Sequence, residues 1–152
     1  MTGSRDFDDW SPQGPVEELS EVSCWTLLKL ESFGRLALSV DNRPQLFPVD
    51  YSAEGATILF RTAPGTKLRN LGANNTVAFE VDLRSKAESW SVVIEGTASV
   101  VTDVDEIAVA DRAPLPTWIP TAPYVYVRIT PSSIRGRRFV HTLFAPRDHA
   151  NW

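Results

Sequence analysis

The segment Phe60-Arg61-Thr62-Ala63-Pro64-Gly65-Thr66-Lys67-Leu68 is where residue types and spacing in this chain best support chemistry. An arginine and a threonine end an extended run, Pro-Gly breaks it, and a threonine and a lysine open a helical stretch. A guanidinium fork, an ammonium point charge, two hydroxyls and the free amides of a helix start together suit a phosphomonoester. Lys67 is one of only three lysines, against twelve arginines. On these residues alone, an exposed turn with solvated charges is an equal alternative.

Other chemistries find little support. No Gly-rich phosphate loop of the mononucleotide or dinucleotide type is present. Both histidines, His141 and His149, lie near the C-terminus without metal-ligand company, so hydrolase and metalloenzyme readings are weak. Cys24 is the only cysteine, which excludes an internal disulfide and fits a reducing cytoplasm. A lone thiol beside Trp25 is expected to be a small buried apolar residue rather than a nucleophile. Arg135, Arg137 and Arg138 read as a solvated strand end before they read as phosphate ligands. Trp118, between Pro116 and Pro120, covers a ligand or fills a core gap with equal merit, and Tyr51, Phe79 and Tyr126 read as core.

The elements that must position the segment follow from periodicity. Ser20 is a plausible N-cap for an amphipathic helix over 20–31, with Val22, Trp25 and Leu28 at spacing three. From Gly34 the period changes to two. Strands are expected over 34–40, 45–51, 57–62, 76–82, 90–102, 125–130 and 134–140, with Asp41-Asn42-Arg43-Pro44 and Glu54-Gly55 as turns. Pro48 lacks an amide donor and belongs at an edge or a bulge, and the long strand is expected to bend at Gly96. Short helices are expected over 66–71 and 103–112, the latter capped by Asp103 with Glu106 three residues on. Strands joined by short turns predict a mainly β fold with antiparallel pairing, a barrel or sandwich.

The 152 residues suit one domain, and the chain is 43% hydrophobic with a net charge of −4. That balance argues against a nucleic-acid binder. The excess acid sits in residues 1–20, so residues 1–18 read as an acidic arm, 19–141 as the domain and 142–152 as a tail in which Trp152, like Trp10, has the chance to dock. No stretch approaches the roughly 20 apolar residues of a membrane span, and the acidic start lacks a signal h-region, so a cytoplasmic protein is expected.

Taken in order, GRLALSVDNRPQLFPVDY, TILFRTAPGTKL, VAFEVD, WSVVIEGTASVV and VYVRITPSSIRGRRF resemble the pyridoxamine 5'-phosphate oxidase-like flavoproteins, over about residues 20–139. The resemblance implies an antiparallel split β-barrel of the FMN-binding type, a homodimer, and FMN at the dimer interface. It implies that Arg61, Thr62, Thr66 and Lys67 hold the phosphate and that the backbone of Phe47, Pro48, Val49 and Asp50 lies along the isoalloxazine. It brings Trp90 and Ser91 to the cofactor from the long strand. Asp50 departs from the asparagine of the P-V-N-Y version, so either its carboxylate points away or the flavin's potential is lowered. WSVVIEG is apolar beyond simple alternation, which also suggests burial on both faces and a dimer.

These readings converge on an FMN-dependent oxidoreductase-like protein with a small-molecule substrate or electron donor, and name no catalytic acid or base. A second phosphate site, which a true pyridoxamine phosphate oxidase needs, cannot be assembled from these residues. The rival readings are a non-catalytic module that sequesters flavin, or binding of deazaflavin F420 or haem, the last with His141 or His149 as axial ligand.

Overall fold

The computed structural model describes residues 16–115 and 123–141. Its architecture is mainly antiparallel β, with the split-barrel fold. The strands are β1 (Val16–Leu19), β2 (Phe33–Val40), β3 (Arg43–Asp50), β4 (Ser52–Glu54), β5 (Thr57–Thr62), β6 (Thr76–Arg84), β7 (Glu88–Val100) and β8 (Val125–Val140). The helices among the described residues are α1 (Glu21–Leu30), α2 (Thr66–Ala73) and α3 (Val104–Ala110). The sheet runs β3-β2-β6-β7-β8-β5-β4, and β1 adds to β8. No helix among these residues is long and apolar enough to cross a membrane.

Local chemistry explains most element ends. Ser20 caps α1 by accepting from the Ser23 amide at 3.1 Å, and Asp103 caps α3 by accepting from the Glu106 amide at 3.0 Å. Asp41 and Asn42 adopt φ of 53° and 62°, the left-handed pair that a tight hairpin turn needs. The turn is thus shorter than composition suggests, and Arg43 and Pro44 already belong to β3. β3 is a sheet edge, which accommodates the missing amides of Pro44 and Pro48.

β7 and β8 form the spine. The bend expected at Gly96 is a register shift between Glu95 and Gly96, where a methyl group would overlap the Thr130 carbonyl. That irregularity lets β8 run unbroken through Pro131-Ser132-Ser133, so the two closing strands expected over 125–130 and 134–140 are one. The boundary drawn at residue 18 also moves. Val16–Leu19 pair with Phe139–Gly136, because alternate partners on β8 accept the strand despite Glu17 and Glu18. The short β4 is likewise a strand that periodicity did not pick out.

Two apolar clusters form among the described residues. The larger fills the barrel with Leu36, Tyr51, Ile58, Phe60, Phe79, Val81, Trp90, Val92, Ile94 and others, and includes Cys24 and Leu28 from α1. Cys24 is fully buried behind Gly136, and burial pushes its thiol pKa up, as suits a packing residue. The smaller cluster joins Leu59 and Tyr126 to α3 through Val101, Ala110 and Leu115.

Candidate functional site

The site is built at the β5–α2 turn. Strand alternation sends Ile58 and Phe60 into the barrel core and Leu59 toward α3. Thr62 follows on the Phe60 side and is buried, its hydroxyl donating to the Ala63 carbonyl at 3.3 Å. Arg61 follows on the Leu59 side. After Ala63-Pro64-Gly65, α2 begins on Gly65, which has no side chain to cap it, so the first-turn amides have no side-chain cap among the described residues. Asn70 then donates to the Gln45 side chain and Asn74 to the Ser39 carbonyl at 2.7 Å, fastening α2 to β3 and β2.

Lys67 projects from this first turn. Its Nζ lies 5.3 Å from the centre of the Phe47 ring and 6.0 Å from that of Phe60. Among the described residues it makes no hydrogen bond or ion pair; the two ring faces are its stabilisation. The side chain is half-buried, and desolvation lowers its pKa. A half-buried cation without a counter-ion, beside an uncapped helix start and a buried hydroxyl, is a ready acceptor for an anion.

The other sequence-predicted residues scatter around this nucleus. Phe47 joins Lys67 directly. Val49 is in the core at 5% exposure. Pro48 and Asp50 alternate onto the opposite face of β3, so Asp50 points away from the Phe47 side. Burial raises the Asp50 pKa, and Asp50 makes no hydrogen bond or ion pair among the described residues. Thr66 accepts from the Arg69 guanidinium at 3.2 Å. Arg61 does not join Lys67 over Phe60; its guanidinium lies 5.0 Å from the centre of the Tyr124 ring.

Trp90 and Ser91 part company. The Trp90 ring belongs to the barrel core, so only Ser91 is on the outer face of β7. The run expected to be buried on both faces alternates in the single chain: Val92 and Ile94 are buried, while Ser91 and Val93 are half-buried, because no described residue covers the outer face fully. Ser91 and Val93, with Glu18, Leu19, Ile134, Arg135, Gly136 and Arg137, line a cleft of about 580 Å³. Ser91 pairs with Arg137 on β8, whereas Arg61 pairs with Tyr126. Eleven residues of strand separate these partners, roughly 36 Å of path at ~3.3 Å per residue.

The three arginines at the end of β8 have separate fates. Arg135 pairs with Glu95 at 3.2 Å and Arg138 with Glu88 at 2.7 Å, while Arg137 faces the cleft. His141 Nε2 is hydrogen-bonded to Ser89 Oγ at 2.7 Å. Trp10, Trp118, His149 and Trp152 lie outside the described residues. Sequence reasoning missed Phe60 and Tyr124 as partners of the two cations. Phe60 had a signal, since it ends the apolar half of TILFRT, but Tyr124 had none before the β5–β8 register was known.

The family model for pyridoxamine 5'-phosphate oxidase matches residues 20–138. The chain belongs to the pyridoxamine 5'-phosphate oxidase family. The match spans from the N-cap of α1 to Arg138 near the end of β8, and so takes in both the β5–α2 turn and the β7–β8 cleft. Solved structures agree with it. A Corynebacterium glutamicum protein bearing this family name is 40% identical with a TM-score of 0.78, covering 83% of this chain and 99% of that one. An FAD-binding protein from Mycobacterium smegmatis is 42% identical with a TM-score of 0.75, covering 83% of this chain and 100% of that one. An FAD-binding protein from Mesorhizobium loti is 27% identical with a TM-score of 0.74, covering 82% and 97%. The split barrel implied by the ordered strands is thus the fold, and family members of this kind are flavin binders.

Proposed function

We propose that this family member binds a flavin nucleotide at the β5–α2 turn and works as a homodimeric, cytoplasmic flavin-dependent oxidoreductase. The observation that carries the reading is Lys67, a half-buried ammonium held by the Phe47 and Phe60 rings and otherwise without a partner among the described residues. The residues fit a flavin phosphate. Lys67 supplies the charge, the α2 amides the hydrogen bonds and Thr62 a buried hydroxyl, while the edge of β3 around Phe47 offers a flat wall for the ring. A bound flavin supplies hydride or electron transfer between small molecules. The protein's share is to bind its phosphate, exclude water with Phe47 and Val49, and orient the ring along β3.

The flavin is FMN on the sequence resemblance, and FAD on the likeness to the Mycobacterium smegmatis protein at 42% identity. Ser91 supports the dimer. It lines a cleft with Glu18, Leu19 and Arg137, none of which belongs to the Lys67 turn, and the half-buried Val93 beside it is left for another surface to cover. In a dimer Ser91 would approach the ring from the second subunit. Against haem, His141, the one histidine among the described residues, has its Nε2 hydrogen-bonded to Ser89.

The visible spectrum of freshly purified protein tests the reading. Flavin bands near saturation are expected, together with a dimer by light scattering. A colourless protein that takes up no added flavin, or one with a haem band, contradicts it. Steady-state oxidation of reduced nicotinamide or reduced deazaflavin then separates an enzyme from a module that only sequesters flavin.

A further inference from the structure

The chain has three lysines, and two of them, Lys29 and Lys86, are exposed. Lys67 differs, half-buried against two aromatic rings. We propose that Lys67, whenever no phosphate covers it, is a carbonyl-reactive amine that condenses with aromatic aldehydes to form an imine. One consequence rests on the flavin reading above and deepens it: aldehyde and flavin exclude one another at the β5–α2 turn.

The amine sits on α2, with its Nζ 5.3 Å from the centre of the Phe47 ring on β3 and 6.0 Å from that of Phe60 on β5. The sequences of these three elements, TKLRNLGA, RPQLFPVD and TILFRT, hold a single carboxylate, Asp50. Asp50 alternates onto the face of β3 opposite Phe47, so it does not face Lys67. The same elements carry the cations Arg43, Arg61 and Arg69, the last bonded to Thr66 in the first turn of α2. Apolar ring faces and neighbouring positive charge both disfavour one more ammonium ion, whereas an exposed lysine keeps its proton in water. The two ring contacts offset only part of the lost hydration, and desolvation accordingly lowers the Lys67 pKa.

An unprotonated lysine in an apolar setting beside other cations is a nucleophile. Its nitrogen lone pair forms a bond to the aldehyde carbon, the carbonyl π pair moves to oxygen, and one proton passes from nitrogen to that oxygen. The carbinolamine then loses water: the C–O bond breaks, the oxygen leaves with the second N–H proton, and a C=N bond remains. Nothing is oxidised or reduced. Phe47 is half-buried, so its ring is reachable and offers the aldehyde's ring a stacking partner. The imine has no ammonium to offer a phosphate, and a bound phosphate in turn holds the proton on Lys67. Each ligand therefore blocks the other.

Reductive trapping on the full chain, stripped of flavin, tests this. Benzaldehyde is the probe, cyanoborohydride fixes any imine as a secondary amine, and peptide mass mapping reads the rate at each lysine. Lys67 should be labelled roughly tenfold faster than Lys29 or Lys86, which serve as controls within the same chain. Saturating FMN should slow Lys67 by about tenfold and leave the other two unchanged, and protein labelled at Lys67 should bind FMN about tenfold more weakly. Equal rates at all three lysines, or a Lys67 slower than the other two, overturn the reactive amine; FMN binding by the unlabelled protein then leaves the flavin reading standing. Fast labelling of Lys67 that FMN does not slow supports the reactive amine and overturns the flavin reading at this turn.

Discussion

The two ends of strand β8 treat their cations differently. At the C-terminal end Arg138 is held by Glu88 at 2.7 Å and Glu17 at 3.8 Å, and Arg135 by Glu95 at 3.2 Å. At the N-terminal end, where β8 meets β5 and the α2 turn, Arg128 lies 4.0 Å from Glu54, but Lys67 on α2 lies over the rings of Phe47 and Phe60. A carboxylate partner spends the charge on the fold. An aromatic face holds the side chain in place and leaves most of its field available to an anion. Charge count alone misleads here, because the arginine-rich end is the structural one.

The largest effect that could break this comparison concerns β1. If Glu17 and its strand belong to the structural end, a chain beginning at Ser20 should melt about 5 °C or more below one beginning at Val16, near 2 kcal/mol for a protein of this size. Starting at Val16 rather than Met1 should change little. Equal melting temperatures for all three chains would return the boundary to residue 18 and make β1 a decorative contact.

A smaller effect separates paired from unpaired cations without any ligand. Burial lowers the Lys67 pKa, so in the apo protein its charge costs stability at all pH values below that lowered pKa, and the cost fades as pH rises toward the unfolded value. Lys67→Met should then raise the apo melting temperature by roughly 1–3 °C at neutral pH. Arg35, held by Glu80 at 3.2 Å and Asp82 at 2.9 Å, should respond in the opposite direction to the same substitution. Thermal melts of both variants check this, and a loss on Lys67→Met would mean that the lysine is structural.

Asp50 gives the smallest effect. Burial raises its pKa, so the folded state binds the proton more tightly than the unfolded chain does. Stability on this account is lost as pH rises through the raised value and recovered as pH falls toward the ordinary carboxylate range. Asp50→Asn should be slightly more stable than the parent at pH 7, with the gap closing in acid. A gap that widens in acid would show that Asp50 has a cationic partner.

How much of this was legible depended on range. β5 was delimited at both ends because Glu54-Gly55 and Ala63-Pro64-Gly65 break the chain locally, and the caps Ser20 and Asp103 announce themselves by type. β1 was not legible, since Val16 and Leu19 flank two glutamates and their partners lie on the far strand β8. The turn-like Pro131-Ser132-Ser133 was overruled by β7, whose Glu95 carbonyl accepts from Ser132 Oγ at 3.0 Å. The site splits the same way. Thr62, Lys67 and the open helix start could be read from a nine-residue stretch, but that reading grouped Arg61 with them, whereas strand alternation puts Arg61 and Thr62 on opposite faces. The Phe47–Lys67 and Arg61–Tyr124 contacts, and the burial of Trp90, needed the sheet order. On the proposed reading Ser91 meets the flavin of a second chain, which one sequence read along its length cannot position.

The central claim is that the ammonium of Lys67 is held ready for a flavin phosphate. Its most direct test is the affinity ratio of FMN to riboflavin, ligands that differ only in that phosphate, measured by titration for the parent and for Lys67→Ala. The parent should bind FMN about 10- to 150-fold more tightly, the contribution of about 1.5–3 kcal/mol expected of charge-assisted hydrogen bonds. In Lys67→Ala the ratio should fall by at least about tenfold with riboflavin affinity unchanged. A ratio equally large in parent and variant would contradict the account, because the phosphate would then be held elsewhere.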